Sequence, residues 1–257
     1  MYVVPSLFTA VNIAAGFYAI TQSLQATVAD HEYFNRAALA ICFAIPFDAL
    51  DGRIARMTNT ESDFGRELDS LADVITFGVA PSILAYTWGF RMLPMVGNLR
   101  LRQNAIEFGL VVAFLFLICG ACRLARFNVT SNPKPSNPGR PGSRYFVGMP
   151  IPAAAGVIAS VVHCFDGSPI DTTWIAFVWM GLLLFIGFLM VSAWRFWSGK
   201  EISLSGQQPG RNFVLLMVVG VLLLKFSEYL LIAASLAYMV SGLWARLLYA
   251  AQRKVPV

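Results

Sequence analysis

The sequence predicts an all-α polytopic membrane protein of about eight transmembrane helices. Three observations carry that expectation. Of 257 residues, 57% are hydrophobic and 13% charged, and the mean hydropathy is +0.64, well beyond the usual range of a soluble domain. The apolar residues gather in runs long enough to span, or nearly span, a bilayer. The basic residues fall in the short loops between those runs, mostly on alternate sides.

Taken in order, the apolar segments run over 3–23, 34–56, 65–89, 105–127, 148–165, 172–196, 212–226 and 229–249. The second ends in Asp48 and Asp51, and the polar stretch Thr58 to Asp63 turns the chain into the third. Residues 131–143, rich in Pro, Gly and Ser, connect the fourth to the fifth, and residues 198–210 lead into the seventh. Lys225 and Glu228 mark a break between the seventh and eighth, because one continuous helix through both would overshoot a bilayer. No repeat is evident and nothing marks a soluble domain, so residues 1–257 are expected to form a single membrane-embedded domain.

Loop charge sets the expected orientation. With a cytoplasmic N-terminus, the inside loops hold Arg53, Arg56, Arg66, Arg123, Arg126, Lys134, Arg140, Arg144, Arg195, Lys200, Arg211, Arg246, Arg253 and Lys254. The outside loops hold Arg36, Arg91, Arg100, Arg102 and Lys225. Both termini and the aspartate-bearing ends are therefore expected at the cytoplasmic face of a cell (inner) membrane. The net charge of +5 does not point to nucleic acid, since no dense basic tract is present. No cleavable leader pattern precedes the first segment. Cys42, Cys119, Cys122 and Cys164 sit in apolar runs and read as buried structural thiols. His31 and His163 stand alone near helix ends and carry no expected role. Trp174, Trp179, Trp194, Trp197 and Trp244 read as belt or packing residues.

Four aspartates hold the chemistry. Asp48 and Asp51 are three apart and Asp69 and Asp73 four apart, so each pair lies on one face of its helix. The positions are symmetric about the Thr58–Asp63 turn. In an antiparallel pair, Asp48 comes level with Asp73 and Asp51 with Asp69. A carboxylate at bilayer depth costs roughly 2.5–3.5 kcal/mol on insertion scales, and close like charges add to that. Divalent cations are the expected compensation. A pocket of carboxylate oxygens suits Mg²⁺, Mn²⁺ or Ca²⁺ rather than zinc. Four carboxylates suffice for two such ions, an arrangement suited to phosphoryl transfer. Gly52 and Ala55 keep one helix face small for a ligand, and Arg56 and Arg66 are placed to meet phosphate oxygens.

The run from Asp48 to Asp73 matches D-x2-D-G-x2-A-R-x8-G-x3-D-x3-D without a gap or substitution. It resembles the CDP-alcohol phosphotransferases, membrane enzymes of phospholipid synthesis. The resemblance implies that an alcohol attacks the lipid-linked phosphate of a CDP-lipid and CMP leaves. It makes Asp48, Asp51 and Asp69 metal ligands, and Asp73 the general base and a contact of the second metal. It assigns Gly52, Ala55, Arg56 and Gly65 to the CDP site, with Arg66, Thr9 and Asn12 in the CDP-lipid-binding set. Further stretches narrow the branch: Pro5 to Asn12, Phe77 to Pro81, Cys122 to Asn128, Phe146 to Ala153 and Ala237 to Gly242. Together they resemble the branch whose lipid donor is CDP-diacylglycerol and whose acceptor is L-serine. Met149 stands where that branch leads one to expect Leu. The family also implies a homodimer among membrane lipids.

Arg123 and Arg126 lie one turn apart near the cytoplasmic end of the fourth segment, with Asn128 just beyond. They read either as positive-inside anchors or as an anion site for the serine carboxylate or the lipid phosphate. Glycerol 3-phosphate or an inositol phosphate is an alternative acceptor, but either would want a denser basic pocket. A divalent-cation transporter is the alternative from another class. The acids cluster at one end beside arginines, which would repel a permeating cation.

Overall fold

A computed structural model describes residues 3–57, 62–95, 98–130, 136, 145–197 and 209–252, without side chains at 3–6, 51–57, 209–224, 250 and 252. Seven long helices and a two-stranded ribbon make up these residues. The order is α1 (Val3–Gln25), α2 (Glu32–Met57), α3 (Asp63–Arg91), α4 (Leu99–Val129), β1 (Tyr145–Val147), α5 (Ile151–Cys164), α6 (Thr173–Val191), β2 (Arg195–Trp197) and α7 (Pro209–Gln252). Six helical stretches are long and apolar enough to cross a membrane: 7–25, 32–50, 63–91, 99–129, 173–191 and 225–249. Large apolar side chains such as Phe17, Phe43, Phe108, Phe114, Trp174 and Val178 lie exposed around the bundle. Water would penalise such a girdle, while lipid accepts it, so this is a membrane protein.

Two expectations of length are corrected. The seventh and eighth segments run on directly as α7, two helical stretches joined at a kink at Phe226 (φ −129°, ψ 32°), where the break was expected but without a loop, so the described residues hold seven helices and not eight. Lys225 and Glu228 disfavour hydrocarbon but are good helix formers, and no Pro or Gly lies between them to end the helix. The fifth segment shrinks to the 14 residues of α5, because Pro150 and Pro152 set its start. It is buried over most of its length as the central helix of the bundle. Around it, α1 packs on α2 and along α3, α4 packs on α6, and α2 and α7 close on α5 itself.

α3 is a single rod with two π-helical stretches, Val74–Val79 and Thr87–Arg91. Its start is capped by Ser62, whose Oγ accepts from the Gly65 amide at 3.0 Å. The first π stretch begins directly after Asp73. Such insertions widen a turn and re-aim the side chains beside it. α1 comes close at this point: a Cβ on Gly16 would stand 2.6 Å from Thr76 Oγ1, so a small residue is needed.

At the end of the bundle remote from the aspartates, a polar relay fastens three helices. Asn35 Nδ2 donates to Asp166 Oδ1 at 2.7 Å, so Asn35 Oδ1 is turned toward His163 Nδ1, 2.5 Å away. That assigns the imidazole proton to Nδ1, and the Ser227 hydroxyl donates to Nε2 at 2.8 Å. His163, unassigned from the sequence, is thus the tie between α2, α5 and the kink of α7. Replacing it with Leu orphans the Asn35 amide oxygen and the Ser227 hydroxyl, at about 1–3 kcal/mol for each group left unsatisfied. His163→Leu is expected to lower the melting temperature in detergent. An unaltered melting temperature would show that the relay adds no stability.

At the aspartate end, β1 and β2 pair antiparallel, with Phe146 opposite Phe196. Gly148 follows at φ +76°, and a side chain there would also strike the Met190 carbonyl, so this turn requires glycine. The connections 131–135, 137–144 and 198–208 lie outside the described residues. No cysteine pairs in a disulfide; Cys42, Cys119 and Cys164 are half-buried, but Cys122 is exposed, against the expectation of a buried thiol. A helix in lipid gains nothing by hiding an apolar thiol inside. Trp179 is a packing residue, buried with its indole N–H on the Ala85 carbonyl at 3.1 Å, while Trp174, Trp197 and Trp244 are exposed.

Candidate active site

The end of α2 and the first turns of α3 bring three of the four aspartates together. One carboxylate oxygen from each of Asp48, Asp69 and Asp73 lies within 4.8 Å of the others. Asp73 and Asp48 are close enough for their carboxyl groups to interact directly. Asp51 lies on α2 one turn beyond Asp48, and its side chain is outside the described residues, as are those of Gly52, Ala55 and Arg56.

Three carboxylates this close repel by about 3–4 kcal/mol per ionised pair at an effective dielectric near 20. The arrangement fits a hard cation in three respects. All three donors are oxygens. Their separation is of the order expected across one coordination sphere, since opposite ligands of a Mg²⁺ ion are about 4.2 Å apart. Asp73 Oδ1 is buried and meets no hydrogen-bond donor, the position of an oxygen left for a ligand.

α1 forms one wall of this region. Thr9, Asn12 and Gly16 share a face and are turned inward, Asn12 being 2% exposed. The Thr76 hydroxyl donates to the Asn12 carbonyl at 2.8 Å, which locks α1 onto α3 one turn past Asp73. The Asn12 side chain is left with Nδ2 and Oδ1 both buried and unpartnered. Such an amide is costly unless a ligand meets it. Thr76, which aims this wall, escaped the sequence reading because a threonine in an apolar run carries no signal of its own. Gly65 serves the cap of α3, and Arg66 pairs with Asp63 at 3.2 Å on the exposed face of the same helix.

The two arginines of α4 differ. Arg126 is fully engaged: Nη1 donates to the Val191 carbonyl at 2.9 Å, and Nη2 to the Val147 and Ser192 carbonyls at 3.3 Å each. It ties the end of α4 to the ribbon and to α6. Arg123 is 7% exposed, interacts electrostatically with Tyr238 and Asp73, and lies 5.9 Å over the Phe127 ring. Its Nε has no partner. Asn128 Nδ2 donates to Ser70 Oγ at 2.9 Å, joining α4 to the helix of Asp69 and Asp73. Arg123 is therefore the arginine with a donor to offer beside the acids, and Arg126 and Asn128 hold its helix in place.

These features define a class: integral-membrane helical proteins with a carboxylate cluster able to hold a metal ion beside a buried guanidinium. The chain belongs to the CDP-alcohol phosphatidyltransferase family, whose model matches residues 2–186. It is 37% identical over 208 residues to a CDP-diacylglycerol–serine O-phosphatidyltransferase of Helicobacter pylori (strain J99), covering 79% of this chain and 75% of that one. It is 34% identical over 216 residues to the protein of the same name from Bacillus subtilis (strain 168), covering 82% of this chain and 99% of that one. A protein of that name from Saccharomyces cerevisiae is 38% identical over 159 residues, 61% of this chain and 52% of the relative.

Proposed function

We propose that the protein transfers the phosphatidyl group of CDP-diacylglycerol to the hydroxyl of L-serine, giving phosphatidylserine and CMP. The observation that carries this is the convergence of the half-buried Asp48, Asp69 and Asp73 on one point within electrostatic reach of Arg123. The names of the relatives supply the donor and the acceptor.

Asp48, Asp51, Asp69 and Asp73 would hold two divalent ions, Mg²⁺ or Mn²⁺. When bound, those ions supply positive charge to the pyrophosphate and to the CMP oxygen that leaves. The protein's own residues do the rest. Asp73 accepts the serine hydroxyl proton. The serine oxygen then forms a bond to the lipid-linked phosphorus, the bond from that phosphorus to the CMP oxygen breaks, and CMP departs with the electron pair. Asn12, with an unpaired donor and acceptor, and Thr9 line the donor site on α1. Gly52, Ala55, Arg56, Gly65 and Arg66 complete it on α2 and α3. Arg123 holds the serine carboxylate, because a buried guanidinium with an unused N–H matches that anion. The whole chain acts as one membrane domain, with its site and termini on the cytoplasmic side of the cell membrane, as a homodimer.

An acceptor screen with CDP-diacylglycerol and Mn²⁺ or Mg²⁺ tests the proposal, with CMP and the lipid product both followed. Serine-dependent CMP release with phosphatidylserine as product is expected. Release driven by glycerol 3-phosphate or an inositol phosphate and not by serine would overturn the acceptor. Arg123→Lys keeps the charge and loses the planar fork, so it is expected to raise the serine KM at least about tenfold, with little change for CDP-diacylglycerol. If the donor KM rises and the serine KM does not, Arg123 binds the lipid phosphate.

A further inference from the structure

The ribbon and the described half of α7 meet at Tyr238. Its ring stacks on Phe196, with centroids 5.8 Å apart and planes 28° apart. Its hydroxyl donates to the Trp197 main-chain carbonyl at 3.0 Å. One turn on, Gly242 faces the same Phe196 ring, where any side-chain carbon would collide. The phenol is thus pinned on two sides. The phenol and the Arg123 guanidinium interact electrostatically, as do Arg123 and Asp73, which puts the tyrosine at the acidic end of the bundle.

A phenol that has given its proton to a carbonyl presents only lone pairs to its other side. It is then a neutral hydrogen-bond acceptor within electrostatic reach of a buried cation. Serine carries both charges, so a guanidinium alone recognises half of it. The ammonium needs an acceptor of its own. A further carboxylate there would add charge to a crowded acidic pocket and compete for metal, whereas a fixed phenol oxygen does neither.

We propose that Tyr238 is a specificity-determining residue of the acceptor site: its phenolic oxygen accepts the ammonium of the amino-acid acceptor whose carboxylate Arg123 holds. This rests on the serine reading above. The hydroxyl of the acceptor is then directed toward Asp73. An acceptor with an anionic group in the ammonium position meets lone pairs there and is turned away.

The test is Tyr238→Phe, which keeps the ring on Phe196 and removes the oxygen. Initial rates are measured on the full-length protein with CDP-diacylglycerol and Mn²⁺. The acceptors are L-serine and 3-hydroxypropionate, which keeps the carboxylate and hydroxyl but lacks the ammonium. The preference in kcat/KM for serine is expected to fall at least tenfold, through a higher serine KM, with the KM for CDP-diacylglycerol unchanged. The ratio of two acceptors on one preparation is independent of how much of the variant is folded. An unchanged preference, or an equal loss for both acceptors, overturns the proposal and leaves Tyr238 as a fastening of the ribbon. If the wild type itself turns over no serine, the acceptor reading fails and the role of Tyr238 falls with it. If the wild type uses serine and the preference is untouched, the tyrosine assignment alone fails.

Discussion

Asp69→Asn is expected to reduce turnover to background while the protein remains folded in detergent. The asparagine keeps an oxygen in place but removes a charge, and three oxygens within 4.8 Å would hold a divalent ion by charge as much as by geometry. In the unloaded protein the same substitution relieves carboxylate repulsion, so the variant should melt no lower than the wild type without metal. EDTA should silence the wild type in the same way, and Mg²⁺ or Mn²⁺ should restore it. Measurable turnover by Asp69→Asn, or by the wild type in EDTA, would remove metal from the chemistry.

The second large effect belongs to Asp73→Asn. Loss of a positioned general base typically lowers the rate about 10²–10⁴-fold. Asp73 stands at the junction of α3 with its first π stretch, clustered with Asp48 and Asp69 and within electrostatic reach of Arg123. If its main task is to take the serine proton, the variant still binds CDP-diacylglycerol in the presence of metal and fails in turnover. A collapse of binding along with turnover would make it chiefly a ligand. Turnover within a few fold of the wild type would end the assignment. Single-turnover rates with a fluorescent CDP-lipid, beside equilibrium binding of the same probe, separate these outcomes.

Much of the site was legible because periodicity and charge act over short spans. The spacing of Asp69 and Asp73 places both on one helix face, and symmetry about the Thr58–Asp63 turn carries Asp48 to them. The membrane class followed from composition for the same reason, since lipid demands long apolar runs. What could not be read lies in contacts between distant segments. Arg123 and Arg126 look alike one turn apart, yet three carbonyls engage one of them while the other faces the acids. Nothing in the local sequence reveals which carbonyls will arrive, because they come from β1 and α6. His163 looked idle until Asn35 and Ser227, more than 60 residues away on either side, closed on it. The break read at Lys225 and Glu228 falls at the Phe226 kink, but the chain passes through it with no loop between the two helical stretches, because two charged residues disfavour hydrocarbon without demanding a turn. Tyr238 lies in a stretch that helped to narrow the branch, yet nothing local says what it touches: the carbonyl and the ring it meets come from the ribbon.

The central claim is that Asp48, Asp69 and Asp73 form a divalent-metal site, and Mn²⁺ binding to the purified protein, followed by electron paramagnetic resonance, tests it most directly. The account predicts saturable loss of the free-ion signal on titration of the wild type, competition by Mg²⁺, and weaker binding when any one of the three aspartates becomes asparagine. Mn²⁺ affinity that is the same in the wild type and in all three variants would contradict it.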